Sequence, residues 1–280
     1  MSRYDQLMAF EFPRIEHSYD ERDTMLYALG VGAGWDWRDP AELRFAYEKD
    51  LTTLPSMAVT LAYPGFWYRD LDPGLDFTRT VHASERIVLH RKLPAAATVW
   101  AKPAIVAIHD RGEGRGSLIV SRRDVVEVGS GEKLATVEQT AFCRGDGGLG
   151  GPIVPAPAPL PVPQRPPDHV AEAAISPQAA LIYRLSGDYN PLHADPDFAR
   201  AAGFDQPILH GLSTYGHVCR LLVKARGEGA FMRMMDCRFT APVFPAETLS
   251  VSIWLDGGEA RFQARVGERV VIDNGVAEFA

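Results

Sequence analysis

The sequence predicts an α+β protein built from two similar modules in tandem. Three observations carry that prediction. A proline-rich stretch divides the 280 residues near the middle, the two halves share a weak repeat, and in each half helical signals give way to alternating, β-branched runs separated by turns. At this length either one large domain or two of half the size can bury a core without disulfides.

In the first half, Ser18–Gly30 lies on Ser176–Ser186 of the second, and Arg91–Thr98 lies on Pro242–Leu249. The runs Thr98–Asp110, Gly116–Val128 and Glu132–Cys143 read as strands. Gly145-Asp-Gly-Gly-Leu-Gly-Gly151 then leads into Pro152–Pro167, where eight of sixteen residues are proline. Proline has no N–H for a sheet ladder and favours extended polyproline II, so this stretch reads as a stiff connector. The expected organisation is a first module at 1–150, a connector at 151–168 and a second module at 169–280. In the second module Ser176 and Pro177 open a short helix over 177–185. Asp195-Pro196 opens another, which Gly203 stops. Leu212, Tyr215, Cys219 and Leu222 keep a helical period, so a longer helix runs from 212 to 224, with Gly227 and Gly229 beyond it. Met232–Pro242, Thr248–Leu255, Ala260–Val266 and Val270–Glu278 complete an antiparallel meander with turns at Asp256-Gly-Gly and Gly267-Glu.

Composition narrows the function. With 46% hydrophobic and 23% charged residues the chain is globular rather than disordered. A net charge of −7 gives no electrostatic footprint for general nucleic-acid binding. No apolar run approaches the roughly 18 residues of a membrane span, and the mean hydropathy of −0.11 suits a soluble protein. No signal peptide is visible at the N-terminus. Cys143, Cys219 and Cys237 are few and widely spaced, which suits reduced thiols and a cytoplasmic location.

One stretch stands apart, Tyr183-Arg-Leu-Ser-Gly-Asp188-Tyr-Asn190-Pro-Leu-His193-Ala-Asp195-Pro196. A helix ends, the chain turns through Gly187, and Asp188, Asn190 and His193 are displayed before the next helix begins. A carboxylate and an imidazole spaced this way across a turn can reach one water, the pairing that general acid/base chemistry near neutral pH needs. Downstream, Ile208-Leu-His210-Gly211-Leu-Ser-Thr places Gly211 at the start of the long helix, whose free N–H groups and positive dipole end suit a developing oxyanion.

Ser-Gly-Asp-Tyr-Asn-Pro-Leu-His, followed by Pro-Ile-Leu-His-Gly-Leu-Ser-Thr-Tyr-Gly, resembles the signature of the R-specific enoyl-CoA hydratases of hydratase-2 type, the MaoC-like family. Glu21–Gly34, Val81-His82-Ala83-Ser-Glu85 and Gly145–Gly151 resemble the long, two-module members. The resemblance implies a double hot-dog, each module a long helix wrapped by an antiparallel sheet. It implies reversible hydration of a trans-2-enoyl-CoA to a (3R)-3-hydroxyacyl-CoA, with an acyl-CoA substrate, no metal or organic cofactor, and a homodimer. It places Asp188 and His193 as the catalytic pair, Asn190 as their support and Gly211 as the backbone donor to the thioester oxygen. His82, Ala83, Arg111, Tyr189 and Phe239 fall at substrate- or coenzyme-binding positions, although Ala83 and Arg111 stand where glycine and lysine are commoner. In the repeat, Gly32, Gly34 and Trp37 stand where the second module has Asp188, Asn190 and His193, so the first module is expected to shape the acyl tunnel, its glycines opening room.

Blander readings compete. Asp188 alone would be a turn residue, and Asp188, His193, Asp195 and His210 have no diagnostic metal-ligand spacing. His210 reads as orienting the loop before the helix, His217 as a core histidine, Arg122-Arg123 as a solvated strand face, and Phe10, Phe12, Trp35 and Trp37 as core or module-interface residues. The competing functions are a dehydratase or thioesterase acting on another acyl thioester, and a non-catalytic acyl-CoA-binding subunit.

Overall fold

The computed structural model describes all residues except Ile153, within the expected connector, and Glu228, just beyond the long helix. Eleven strands form one antiparallel sheet: β1 (Ile15–Tyr19), β2 (Thr80–Leu89), β3 (Ala97–Ala101), β4 (Ala104–Asp110), β5 (Ser117–Glu127), β6 (Lys133–Cys143), β7 (His169–Ala174), β8 (Met232–Phe239), β9 (Thr248–Asp256), β10 (Glu259–Val266) and β11 (Arg269–Phe279). Their order is β1-β3-β5-β6-β2-β8-β11-β10-β9-β7, with β4 paired to β5. The first five strands of that order and the last five run through the same topology in opposite sense, so the weak sequence repeat has a structural counterpart. The halves join through β2 and β8, where Ser84–Val88 pairs with Arg238–Met234. Thr98–Asp110, read as one strand, is two, because Lys102 and Pro103 break the ladder between β3 and β4.

The long helix Gly211–Arg226 lies in the concave face of the sheet, as in a hot-dog fold. From Leu212 to Val223 all of its residues are buried. A side chain at Gly216 would bring a Cβ within 2.5 Å of Val31 Cγ1 and 2.9 Å of the Tyr27 hydroxyl. Glycine in mid-helix costs about 0.5–1 kcal/mol relative to alanine, and here it lets the helix approach the first module. One core cluster accordingly spans both modules, from Tyr27, Val31, Ile87 and Val99 to Tyr215, Val218, Phe262 and Ile272. Arg220, nearly fully buried on this helix, donates to Glu42 at 2.5 Å and to the Val31 carbonyl at 3.3 Å.

A long helix in each module is borne out for the second alone. In the first module the inner face of β2 and β6 packs against a 3-10 turn, Pro55–Val59. Val59 and Thr60 are β-branched, Ala62 has φ 46°, and Pro64-Gly65 follows, which together stop helical propagation. Arg123 takes up the carbonyls left free there, donating to Val59 O at 2.6 Å and Leu61 O at 3.2 Å. Arg123 is therefore buried rather than solvated, while its neighbour Arg122 pairs with Glu138 at the surface. Trp35 and Trp37 are exposed by 60% and 72%, against the core or interface place expected of them, because they sit on a turn that projects from the first module. Phe12 and, less deeply, Phe10 do join a second core cluster around Trp67.

Residues 154–168 contain no helix or strand. They lie along the sheet, held by Arg261 donating to the Leu160 and Pro161 carbonyls at 3.1 Å and by the Trp254 indole donating to Arg165 O at 2.8 Å.

Candidate active site

The segment carrying the motif folds as its residues dictate. The helix Ala179–Tyr183 tightens into a 3-10 turn, Arg184–Ser186, and Gly187 takes φ 112° to reverse the chain. The Asp188 carboxylate accepts from the Asn190 N–H at 3.2 Å. Asn190 in turn caps the 3-10 turn Pro191–His193, its side chain accepting from the Leu192 N–H at 3.1 Å. Asn190 thus works through loop shape. Asp195 caps the next helix, Pro196–Ala201, and Gly203 follows it with φ 89°.

Asp188, His193 and His210 converge, their candidate ligand atoms all within 4.8 Å of one another. His193 is 8% exposed. Its Nδ1 lies 2.9 Å from the Ile208 carbonyl, so Nδ1 carries the hydrogen and Nε2 has a free lone pair in the neutral ring. Burial lowers the His193 pKa, and the nearby Asp188 charge opposes that shift. His210 donates from Nε2 to the Asp188 main-chain carbonyl at 3.1 Å, and its buried Nδ1 has no partner. Burial, then the neighbouring His193, pushes the His210 pKa down to about 2. Two ring nitrogens and a carboxylate this close could hold a metal ion or share one water.

Beside them the helix Gly211–Arg226 begins. The Ser213 and Thr214 N–H groups both donate to the His210 carbonyl, at 3.0 and 3.1 Å, which leaves those of Gly211 and Leu212 without a main-chain acceptor among the described residues. A Cβ at Gly211 would lie 3.6 Å from the Phe239 ring, and the His82 ring packs edge-on to Phe239 at 4.7 Å. His82 Nε2 is 3.0 Å from both Ser84 O and Glu85 Oε2, which commits that nitrogen as the donor. The β2–β6 register shifts at a β-bulge between His82 and Ser84.

The structure has two clefts in this region. One, of about 490 Å³, is lined by Ala83, Arg111 and Phe239 among others. The other, of about 370 Å³, lies between Leu185–Gly187 and the first-module residues Tyr27, Met57, Thr60 and Tyr63. Asp188 and His193 lie in neither lining; Gly187, next to Asp188 in the chain, lines the second cleft, and Phe239, which lies against Gly211, lines the first. Tyr189 lines neither cleft, being 58% exposed with the Arg184 guanidinium over its ring. Gly32 and Gly34 do not open a tunnel. They hold a turn at φ 81° and 75°, and a Cβ at Gly32 would press on the His217 ring at 3.3 Å. Tyr63 and Tyr183 were not singled out by sequence reasoning. Both hydroxyls are held protonated by burial, and the Asp188 charge adds to that. Tyr183 sits inside the quoted motif, but nothing in the local pattern distinguishes it from a core tyrosine.

A double hot-dog with an Asp/His pair at the N-terminus of its long helix defines a class of acyl-thioester enzymes, and sequence comparison agrees. Residues 160–276 match the MaoC-like domain and residues 17–145 match the MFE-2 hydratase 2 N-terminal domain. The chain is 37% identical to peroxisomal enoyl-CoA hydratase 2 of Arabidopsis thaliana over 95% of its length and 91% of the relative's. It is 40% identical to 3-hydroxyacyl-thioester dehydratase Y of Mycobacterium tuberculosis over 93% of each chain. The crystal structure of a MaoC-like dehydratase from Phytophthora capsici superposes with a TM-score of 0.86 at 30% identity, covering 99% of this chain and 98% of that one. The chain belongs to the MaoC-like dehydratase family, in the two-module form with a hydratase 2 N-terminal domain.

Proposed function

We propose that this chain is a hydro-lyase that reversibly adds water to a trans-2-enoyl-CoA, giving a (3R)-3-hydroxyacyl-CoA. The observation that carries the reading is the convergence of the Asp188 carboxylate with the unprotonated Nε2 of His193, beside the first turn of the Gly211 helix. The pair holds one water. Between them the two groups take one proton from it and return one to C2, while the oxygen bonds to C3 on the same face. Negative charge gathers on the thioester oxygen, and the Gly211 N–H donates to it. The thioester itself acidifies C2, so the reaction needs no metal or organic cofactor.

The modules divide the work. Residues 169–280 carry the chemistry, residues 1–150 line the acyl cleft through Tyr27, Met57 and Tyr63, and 151–168 join them. His82, Ala83, Arg111 and Phe239 belong to the coenzyme side. Tyr189 contributes at most from the mouth, given its exposure. The protein acts as a homodimer, without nucleic acid or membrane partners, and none of its described helices is long and apolar enough to cross a membrane. Three free, buried cysteines fit the reducing cytoplasm.

The test is loss of enoyl-thioester absorbance with crotonyl-CoA and a longer enoyl-CoA. Turnover is expected, with Asp188→Asn and His193→Ala each lowering kcat by at least ~10² in folded protein. Release of free thiol would instead indicate a thioesterase, and binding without turnover a non-catalytic subunit.

A further inference from the structure

We propose that the smaller cleft selects acyl chains carrying a hydroxyl group well down the chain, with the His17 imidazole donating to its oxygen and the Asp23 carboxylate accepting its hydrogen. The inference rests on the thioester reading above and deepens it by naming a substrate class.

This cleft, of about 370 Å³, is apolar in one part and polar in another. Leu26, Met57 and Leu185 supply apolar lining, and Gly187 carries it to the residue before Asp188. Burial, and then the Asp188 charge, raise the pKa of Tyr63, another lining residue, which puts its ring within electrostatic reach of the reacting pair. Along the helix Glu21–Gly30, Asp23, Leu26 and Tyr27 all line the cleft. The C-terminal Gly30 of that helix lies against Ile182 and Tyr183, a Cβ there being 3.4 Å from Ile182 Cγ2. Asp23 therefore sits at the end of the helix remote from the catalytic loop, about 10 Å from Gly30 at a helical rise of about 1.5 Å per residue.

At that end two polar groups keep hydrogen-bonding capacity in hand. His17 Nδ1 accepts from the Ala62 N–H at 3.2 Å. The hydrogen of the neutral ring is then on Nε2, which has no acceptor among the described residues. Burial lowers the His17 pKa while the neighbouring Asp23 charge opposes the shift, so the ring is neutral near neutral pH with a carboxylate close by. Ala62 makes its bond to the ring at φ 46°, a left-handed conformation uncommon for any residue but glycine, and such strain collects at ligand sites. Asp23 Oδ2 accepts from the Asp20 N–H at 3.0 Å, and Oδ1 has no donor among the described residues. The Thr60, Ser18 and Tyr19 hydroxyls, by contrast, already have partners, the Met57 carbonyl at 2.9 Å, Thr98 at 2.8 Å and the Pro94 carbonyl at 3.0 Å. One free donor beside one free acceptor suits a neutral hydroxyl, which takes one hydrogen bond and gives another. A methyl end leaves both groups to water. A carboxylate end meets like charge from Asp23 and from Glu16, which also lines the cleft.

The experiment compares trans-2-enoyl-CoA substrates of matched length ending in methyl, hydroxyl or carboxylate, over a series of chain lengths. At the length that reaches the pair, kcat/KM for the hydroxyl-ended substrate should exceed that for the methyl-ended one at least fivefold and that for the carboxylate at least tenfold. His17→Asn keeps an oxygen for the Ala62 N–H and removes the donor in the cleft, so it should bring the hydroxyl-to-methyl ratio within twofold of unity. Asp23→Asn keeps an acceptor for the Asp20 N–H and removes the charge, so it should narrow the hydroxyl-to-carboxylate ratio at least threefold. Calorimetry with the saturated hydroxyl-ended and methyl-ended thioesters reads the same preference without turnover. Absence of a hydroxyl preference at every length, a preference that survives His17→Asn, or a carboxylate discrimination unmoved by Asp23→Asn overturns the subsite. Absence of turnover with every thioester, while calorimetry shows the hydroxyl preference and His17→Asn abolishes it, overturns the hydratase reading and leaves the subsite standing.

Discussion

His193 and His210 lie face to face, their ring centroids 3.8 Å apart and their planes 29° from parallel. Each spends one ring nitrogen on a main-chain carbonyl, of Ile208 and of Asp188 respectively. The stack therefore fixes the orientation of one ring and the loop that carries the carboxylate together. Two imidazolium ions cannot share such a contact, and the burial-driven fall in both pKa values keeps the rings neutral where the reaction runs.

This fixes the acidic limb of the rate profile. If the reaction needs His193 neutral, as proposed, kcat/KM should hold as pH drops to 6.5, the ordinary histidine value, and fail only below it. The Asp188 charge opposes the downward shift, so Asp188→Asn should move the residual activity's acidic limb to still lower pH. A limb at or above 6.5, or one that moves upward in the variant, contradicts the assignment.

Stability should fall on acidification for a related reason. His210 and His217 have folded pKa values of about 2 and about 4, against 6.5 unfolded. Below 6.5 the unfolded chain takes up protons that the folded chain refuses, so the stability these groups contribute is complete above 6.5 and is lost as pH drops toward 4. Each group adds about 1.4 kcal/mol per pH unit in that window. Denaturant titrations between pH 7 and 4 read the slope, which should be shallower in His217→Leu.

Gly216→Ala should destabilise, although alanine is the better helix former. The new methyl would meet Val31 Cγ1 at 2.5 Å, and overpacking of this kind costs about 1–3 kcal/mol against a propensity gain of about 0.5–1 kcal/mol. Urea denaturation gives the sign directly.

Arg220→Met should cost about 3–5 kcal/mol, because it leaves Glu42 charged and buried across the module boundary. Lys224, which also reaches Glu42 at 3.4 Å, softens the loss. The double variant Arg220→Met with Glu42→Leu should recover part of it, as a thermal-melting cycle would show.

Prolonged dialysis against a strong chelator should leave the hydration rate unchanged. Asp188, His193 and His210 are close enough to bridge a metal ion, so this measurement separates the water-holding reading from a metal-dependent one. Loss of activity restored by a divalent ion would replace the mechanism.

The second module was largely readable from its residues. Leu212, Tyr215, Cys219 and Leu222 announce the helix, and alternating runs broken at Asp256-Gly-Gly and Gly267-Glu announce β9 to β11. The close approach of Asp188 to His193 followed from spacing across a glycine turn. What stayed hidden depends on distant partners. Edge strands β1 and β7 alternate in burial but are only five and six residues long, too short for the alternation to stand out in the sequence. Arg123 looks solvated until Val59 and Leu61 present it with carbonyls. Arg238 lines the larger cleft only because β8 lies beside β2. Trp35 and Trp37 looked buried because aromatic residues usually are, and a projecting turn carries them outward.

The shared ladder between β2 and β8 also bears on how such a chain can be cut or copied. Severed in the connector, each half would present a bare row of peptide groups where its twin had lain, an invitation to aggregate or to recruit another identical half. Fusion of the halves gives each a permanent neighbour. In the repeat, Gly32 and Trp37 of the first half stand where the second half has its acid and its imidazole.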